Sequence, residues 1–431
     1  MTQRLTMTVL GNILNAKADK TLIGICIGAC ILLIILVIVS PQKLIYDERY
    51  HLGHVETLAG PGGLWAFLTI PSHSAVGPVY GVLHYILSPF TGLNAPYVRF
   101  VNVTMALGIV GLTSGMLSNL GYTKTIARSA AFFAIPMVWS TSGMALTEIV
   151  AAFFYDDWSV CDRAPAFFPV NGKLPGRWPA DTTSVAPWLI CGVFTGLAIL
   201  SRQTYLPAVA FPVILAIIAR RHRALAAVSF LTSLVVIAPV FYVWGGLTAP
   251  GQEFTGGGIS IAHGVLSLGY LAIILTIIAP AYFSSILKRH LLIAIVAISI
   301  AFSGLMSLSH IIPMRSLFES LLPSEALGFV GFSFGVVVYL AAVSLGFATL
   351  FNCWQRLDQP GFVASTLVMG LCVATAFGVV HGFSSRYVMS SIPFLFVAVQ
   401  PFLKLNMFFA LRILFGALIG IGSMVTYYGF I

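Results

Sequence analysis

From Thr21 to Ser40 the chain runs without a charged side chain, and apolar runs of comparable length recur to its end. A stretch of about 20 apolar residues is what an α-helix needs to cross the hydrocarbon core of a bilayer. Composition points the same way. Of 431 residues only 8% are Asp, Glu, Lys or Arg and 58% are hydrophobic, whereas about 25% of an ordinary soluble domain is charged. A water-soluble globule is excluded. Within a bilayer every backbone N–H and C=O needs an internal partner, which leaves helices or a closed β-barrel. Barrel strands alternate apolar and polar residues over segments of about ten, and these unbroken runs do not. The expected fold class is therefore all-α, a polytopic membrane helix bundle of about 11–14 transmembrane helices.

The apolar runs place spans at 21–40, 97–119, 126–142, 144–158, 184–201, 203–219, 224–244, 262–286, 291–309, 327–350, 362–380, 386–403 and 407–430. Residues 1–20 read as a cytoplasmic tail, and 21–431 as a single transmembrane domain. The first run lacks a small-residue cleavage site and is expected to stay as an uncleaved helix. Residues 41–96 form the first outer loop, with juxtamembrane helices. Within it Gly77 to Phe90 is apolar but short, broken by Pro78, His84 and Pro89. It reads as a re-entrant hairpin, an interfacial helix or a short span.

In a soluble protein the net charge of +9 would suggest nucleic acid. Here the basic residues sit in short loops between spans, so their bias sets topology and no nucleic-acid partner is expected. A cytoplasmic N-terminus puts most of them inside. The exceptions, Lys43, Arg49, Arg99, Arg202, Arg315 and Arg386, share the outer side with Asp47, Glu48, Glu56, Glu148, Glu253, Glu319 and Glu325. The six cysteines are scattered through apolar segments without zinc-type spacing and read as packing residues.

The outer-side charges are the candidates for chemistry. Directly after the first span comes Tyr46-Asp47-Glu48-Arg49-Tyr50-His51, then His54. On a surface helix Asp47, His51 and His54 share a face by three-and-four spacing. Adjacent carboxylates with an imidazole one turn away offer a general base, and desolvation at the bilayer edge is expected to raise the Asp47 pKa. A solvated charged loop is the plain alternative. Glu148 is the carboxylate embedded in the apolar run 129–154, a costly placement that usually faces a polar cavity. The alternative is a protonated glutamate hydrogen-bonded to a neighbouring helix. Arg202, followed by Gln203-Thr204-Tyr205, and Arg386-Tyr387, preceded by His381, place guanidinium groups beside amide, hydroxyl and imidazole groups. A guanidinium fork suits phosphate oxygens, although either arginine alone also fits a snorkelling anchor. Arg99 reads as an interfacial anchor and His84 as a hydrogen-bonded packing residue. The sequon Asn102-Val103-Thr104 lies inside a span and should carry no glycan.

The order of these features resembles the GT-C class of multi-spanning glycosyltransferases, which take a sugar from a polyprenyl-phosphate carrier on the outer or lumenal side. The resemblance rests on Asp47-Glu48 after the first helix, Gly77-Pro78-Val79-Tyr80-Gly81, Arg99-Phe100-Val101-Asn102, Leu146-Thr147-Glu148, the Gly196 to Arg202 segment and Ser385-Arg386-Tyr387. Local motifs are also similar to the dolichyl-phosphate-glucose α-1,2-glucosyltransferase. The first motif departs from that enzyme, reading Asp-Glu-Arg-Tyr-His, and Gly77-Pro78 stands where Pro-Pro is expected. The class is carried over, and that substrate is not.

The resemblance implies an inverting transfer to a hydroxyl of a lipid-linked, glycan or protein acceptor. Asp47 takes the place of the base, and Glu48 and Glu148 orient the acceptor or join Asp47 on a divalent cation, Mg or Mn. His51, Arg99, Arg202, Gln203, His381, Arg386 and Tyr387 bind substrate. The short tails and absent retention signal favour a bacterial inner membrane over the endoplasmic reticulum. A transporter or flippase of lipid-linked substrates remains the alternative, and it would spread its charges across the membrane depth.

Overall fold

A computed structural model describes residues 2–72, 74, 76–156, 184–252, 258–286, 289–305, 323–380 and 383–429, with side chains from residue 18 onward apart from 285, 289 and 302–305. His381, Arg315, Glu253 and Glu319 lie outside the described residues. The fold is an all-α polytopic bundle. In chain order the helices are α1 (Thr2–Ile38), α2 (Asp47–Val55), α3 (Gly63–Thr69), α4 (Pro78–Ile86), α5 (Ser88–Thr91), α6 (Tyr97–Asn119), α7 (Thr125–Ser129), α8 (Pro136–Gly143) and α9 (Thr147–Asp156). They continue as α10 (Ala186–Ser201), α11 (Ala210–Ala219), α12 (Arg223–Trp244), α13 (Ile261–Ile278), α14 (Arg289–Leu305), α15 (Ser324–Gln355), α16 (Pro360–Ala374), α17 (Ile392–Val399) and α18 (Met407–Tyr428).

Among the described residues seven helical segments are long and apolar enough to cross a membrane: Ala18–Ile38, Tyr97–Asn119, Arg223–Trp244, Ile261–Ile278, Ser324–Gln355, Pro360–Gly378 and Met407–Tyr428. The other apolar runs become shorter helices or broken ones. Prolines explain several of the breaks, because Pro lacks an N–H and clashes with the preceding turn. Pro136 starts α8, Pro207 sits in the 3-10 turn Gln203–Val209, and Pro393 follows the 3-10 turn Ser385–Ser391. Gly77 to Phe90 becomes the short helices α4 and α5, with Pro at the first turn of each. The runs 126–142 and 144–158 contain α8 and α9, which meet at 107°.

That bend determines where the site lies. Between α8 and α9 the backbone opens, with Met144 extended, and unpaired carbonyls in a membrane interior are heavily penalised. Side chains from four other helices fill the gap. Asn102 of α6 donates its amide N–H groups to the carbonyls of Thr141 (3.0 Å), Met144 (2.8 Å) and Leu146 (2.7 Å). Tyr428 of α18 donates to Gly143 at 2.5 Å, and Tyr80 of α4 to Ala145 at 2.6 Å. The Ala145 N–H donates to Glu48 of α2 at 2.8 Å. The sequon asparagine is thus a fully buried structural donor.

Small residues let the helices approach closely enough for these contacts. A Cβ at Gly416 of α18 would run into the Ala134 backbone, and one at Gly420 into the Trp139 indole, in keeping with small residues at helix interfaces in membranes. A Cβ at Gly77 would overlap the Leu200 carbonyl, so glycine there allows α4 to lie against the end of α10. The five described cysteines are free, four of them buried.

Candidate active site

The site is assembled from the start of α2, the start of α9, the residue after α10, and the 3-10 turn Ser385–Ser391. Asp47 and Glu48 are adjacent on α2 and point to opposite environments. Glu48 is fully buried and forms a two-pronged pair with Arg99, which donates from Nε to Oε1 at 2.9 Å and from Nη2 to Oε2 at 2.7 Å. Its oxygens also accept the N–H groups of Ile45 (2.9 Å) and Ala145 (2.8 Å). Arg99 is equally sealed. Its remaining donors reach Ser40 Oγ at 2.6 Å and the carbonyls of Pro41 and Lys43 at 2.8 and 3.0 Å.

Arg99 was expected to anchor at an interface or touch substrate, and Glu48 to orient an acceptor or hold a cation. The geometry corrects both, since the two groups are sealed and their hydrogen-bonding capacity is spent on each other, on the Ser40 hydroxyl and on the backbone. The pair chelates the 40–48 turn, where Tyr46 holds a positive φ of 47°, an uncommon conformation for a large side chain. It also ties that turn to the α8–α9 break.

Asp47 faces the other way. Its side chain is 42% exposed, and Oδ2 accepts from Arg386 Nη2 at 2.5 Å. Ser384 orients the arginine by accepting from its Nε at 3.0 Å. Glu148, almost fully buried, lies 3.4 Å from Arg202 Nη2. The two acid–arginine pairs belong to one cluster, because Arg202 also acts on Asp47 and Glu148 also acts on Arg386. His51 sits within the field of all four, with Nδ1 2.8 Å from Ser74 Oγ. Tyr387 feels the same four charges.

The electrostatics revise one expectation. Burial acts to raise the Asp47 pKa, but Arg386, with help from His51 and Arg202, outweighs it and holds the carboxyl below its ordinary value. Desolvation does not make Asp47 a stronger base while Arg386 is in place. Burial opposes the charge on Arg386, yet Glu148 and Asp47 keep it firmly protonated. Burial pushes His51 down to about 4, so it is neutral at neutral pH. Burial likewise raises the Tyr387 phenol.

The structure thus brings together Asp47, His51, Glu148, Arg202, Arg386 and Tyr387. Gln203 follows Arg202 and is half-buried, and no ion pair or hydrogen bond among the described residues ties its side chain to the cluster. His54 turns away, its Nε2 2.9 Å from the Phe67 carbonyl. His84 is fully buried against Tyr80, with ring centroids 4.3 Å apart, and neither ring nitrogen has a hydrogen-bond partner among the described residues, contrary to expectation. No group of three His, Cys, Asp or Glu suited to a metal ion occurs among the described residues. The acids Asp47 and Glu148 are balanced by the guanidinium groups of Arg386 and Arg202. Sequence reasoning named neither Ser74 nor Tyr428, and it quoted Tyr80 and Asn102 only as parts of motifs, without the hydrogen bonds they make at the α8–α9 break. Of these only Asn102, a polar residue inside an apolar run, carried a visible signal.

No family model and no curated protein matches the chain. Among solved structures the chain is similar to ArnT from Cupriavidus metallidurans bound to undecaprenyl phosphate, at 16% identity over 93% of this chain and 76% of that one, with a TM-score of 0.41. The apo state of ArnT gives 17% identity, 92% and 77% coverage and a TM-score of 0.40. The Archaeoglobus fulgidus oligosaccharyltransferase tethered with an acceptor peptide gives 13%, 86% and 55%, and 0.35.

Proposed function

We propose that this chain is an integral membrane glycosyltransferase that moves a sugar from a polyprenyl-phosphate carrier to a hydroxyl acceptor on the periplasmic or lumenal face. The observation carrying the reading is the convergence of two acid–arginine pairs, Asp47–Arg386 and Glu148–Arg202, on one neutral imidazole. Sugar transfer from a lipid phosphate needs a base for the incoming hydroxyl and cations for the departing phosphate, and both are present.

In the inverting reaction the acceptor oxygen attacks the anomeric carbon and its proton passes to an Asp47 oxygen. The bond from that carbon to the phosphate oxygen breaks, and its electron pair stays on the phosphate, where Arg386 and Arg202 meet the growing charge. Asp47 suits the role of base because it alone of the two acids is substantially exposed. Glu148 holds Arg202 in place, and Tyr387 and His51 supply polar contacts to the sugar or acceptor. Glu48 and Arg99 frame the site without touching substrate.

Purified protein incubated with a panel of labelled polyprenyl-phosphate sugars and candidate acceptors should release the sugar or transfer it. Asp47→Asn should lower transfer at least about a hundredfold, the range lost with a general base, without loss of carrier binding. Full activity in that variant removes the base. Movement of the labelled lipid across a vesicle membrane without sugar transfer would point instead to a transporter.

A further inference from the structure

Both cations that the proposed reaction needs are already paired with carboxylates. Arg386 holds Asp47 at 2.5 Å and Arg202 lies 3.4 Å from Glu148, so with His51 neutral the four charges cancel. An anionic ligand entering this site cannot add to it as to an open cationic cradle. To take the Arg386 Nη2 donor it has to displace the Asp47 carboxylate.

The two pairs differ in how readily they open. The Asp47 side chain is 42% exposed and can turn to water once its arginine leaves, whereas Glu148 is 4% exposed and would stay buried without its paired cation, which is penalised. A phosphodiester carries one negative charge and needs to displace one carboxylate. The carboxylate that yields is the proposed base.

Resting on the glycosyl-transfer reading, we propose that Arg386 is a ligand-exchanged clamp: in the empty site it occupies Asp47, and the phosphate of the lipid-linked donor takes it over and thereby frees Asp47 for the acceptor. The donor then binds before the acceptor is activated. A site without donor holds a masked carboxylate, and Ser384, which accepts from Arg386 Nε at 3.0 Å, keeps the guanidinium within reach of either partner. The depressed Asp47 pKa in the paired state agrees with this, because losing Arg386 removes the largest influence holding it down.

The consequence is a competition that binding can read. If Arg386 rests on Asp47 for about nine-tenths of the time in the empty protein, the apparent affinity for an anion at Arg386 is about tenfold weaker than the intrinsic one. The experiment measures dissociation constants of the full-length protein in nanodiscs for two probes, inorganic phosphate and a polyprenyl phosphate. Wild type, Asp47→Asn, Glu148→Gln and Arg386→Gln are compared, each checked for wild-type thermal unfolding. The clamp predicts that Asp47→Asn, although inactive in transfer, binds both probes about tenfold more tightly than wild type. Glu148→Gln removes the same charge from the same cluster and should gain much less, and Arg386→Gln should bind more weakly.

Unchanged or weaker binding by Asp47→Asn overturns the clamp. Equal tightening by Glu148→Gln also overturns it, since a simple change of field then accounts for both. Gains confined to the polyprenyl phosphate would place the exchange on a lipid headgroup, and equal gains for both probes on any phosphate. If wild type and all variants bind neither probe, the anion site itself is refuted and the transfer reading falls with it.

Discussion

Replacing Arg99 by Gln should be among the most destabilising single changes in the protein. The substitution removes a fully buried guanidinium whose donors reach Glu48, Ser40, Pro41 and Lys43, and it leaves the Glu48 carboxylate sealed without a counter-charge. Breaking a buried pair by deleting one partner costs about 3–5 kcal/mol. The N–H groups of Ile45 and Ala145 still reach the carboxylate, which places the expected loss near the lower end, about 3–4 kcal/mol. That is a large share of the roughly 5–15 kcal/mol by which proteins are typically stable. Thermal or denaturant unfolding of the purified protein in a single detergent measures it, as a double-mutant cycle with Glu48→Gln. The double variant should recover about 1–3 kcal/mol relative to the sum of the singles, because residues in one network couple by that order. Strict additivity, or a cost for Arg99→Gln below about 1 kcal/mol, would refute the view that this pair frames the 40–48 turn.

Three further outcomes follow. Arg202→Gln should weaken polyprenyl-phosphate binding, and it should also strand Glu148, so Arg202→Gln combined with Glu148→Gln should recover stability but not transfer; stability and transfer recovered together would contradict the assignment. His51 is pushed down to about 4 from an ordinary 6.5 by burial, so the unfolded chain takes up the proton first as pH falls. Stability should be fully present above about 6.5 and decline by up to about 1.4 kcal/mol per pH unit towards about 4, and His51→Asn should flatten that stretch of a stability–pH curve. Asn102→Ala strips the amide from the carbonyls of Thr141, Met144 and Leu146 and should cost about 2–4 kcal/mol in an unfolding measurement, at roughly 1–3 kcal/mol for a buried polar group left unpaired.

The fold class and most of the clustered groups were legible because each obeys a local rule. Apolar runs of membrane-spanning length announce helices, and a carboxylate or guanidinium inside or beside such a run is too costly to be incidental. Asp47, Glu148, Arg202 and Arg386 were found this way, and they meet. The same rule does not separate a charge that faces ligand from one that closes a joint. Glu48 and Arg99 carry the same signal as their neighbours, and only the path of the chain reveals that one α2 carboxylate points out and the next points in. Their other partners are mostly backbone atoms, of Pro41, Lys43, Ile45 and Ala145, which have no signature in side-chain identity. The apolar runs show the same limit: seven described segments are long and apolar enough to cross a membrane, and others form shorter helices. Hydropathy counts apolar residues and does not separate a straight helix from two short ones that meet at a sharp bend, as α8 and α9 do at 107°.

The break between the runs 126–142 and 144–158 explains how the charged groups come to lie together. A continuous helix from α8 into α9 would satisfy its own backbone and leave Glu148 on a lateral face among neighbouring helices. Interrupting it turns Glu148 into a first-turn residue of α9, where the N-terminal end of the helix favours negative charge. That gain requires pairing the freed carbonyls and N–H groups, and Asn102, Tyr80, Tyr428 and Glu48 do so from four separate helices. The polar side chains of the first loop are therefore divided between two tasks. Glu48 closes the joint, whereas Asp47 is exposed at its surface and pairs with Arg386, and neither can be exchanged for the other although they are adjacent in sequence. An Asp47→Glu variant should consequently fold like wild type and lose transfer through misplacement of the carboxylate, whereas Glu48→Asp, too short to reach both Arg99 and the Ala145 N–H, should lose stability first.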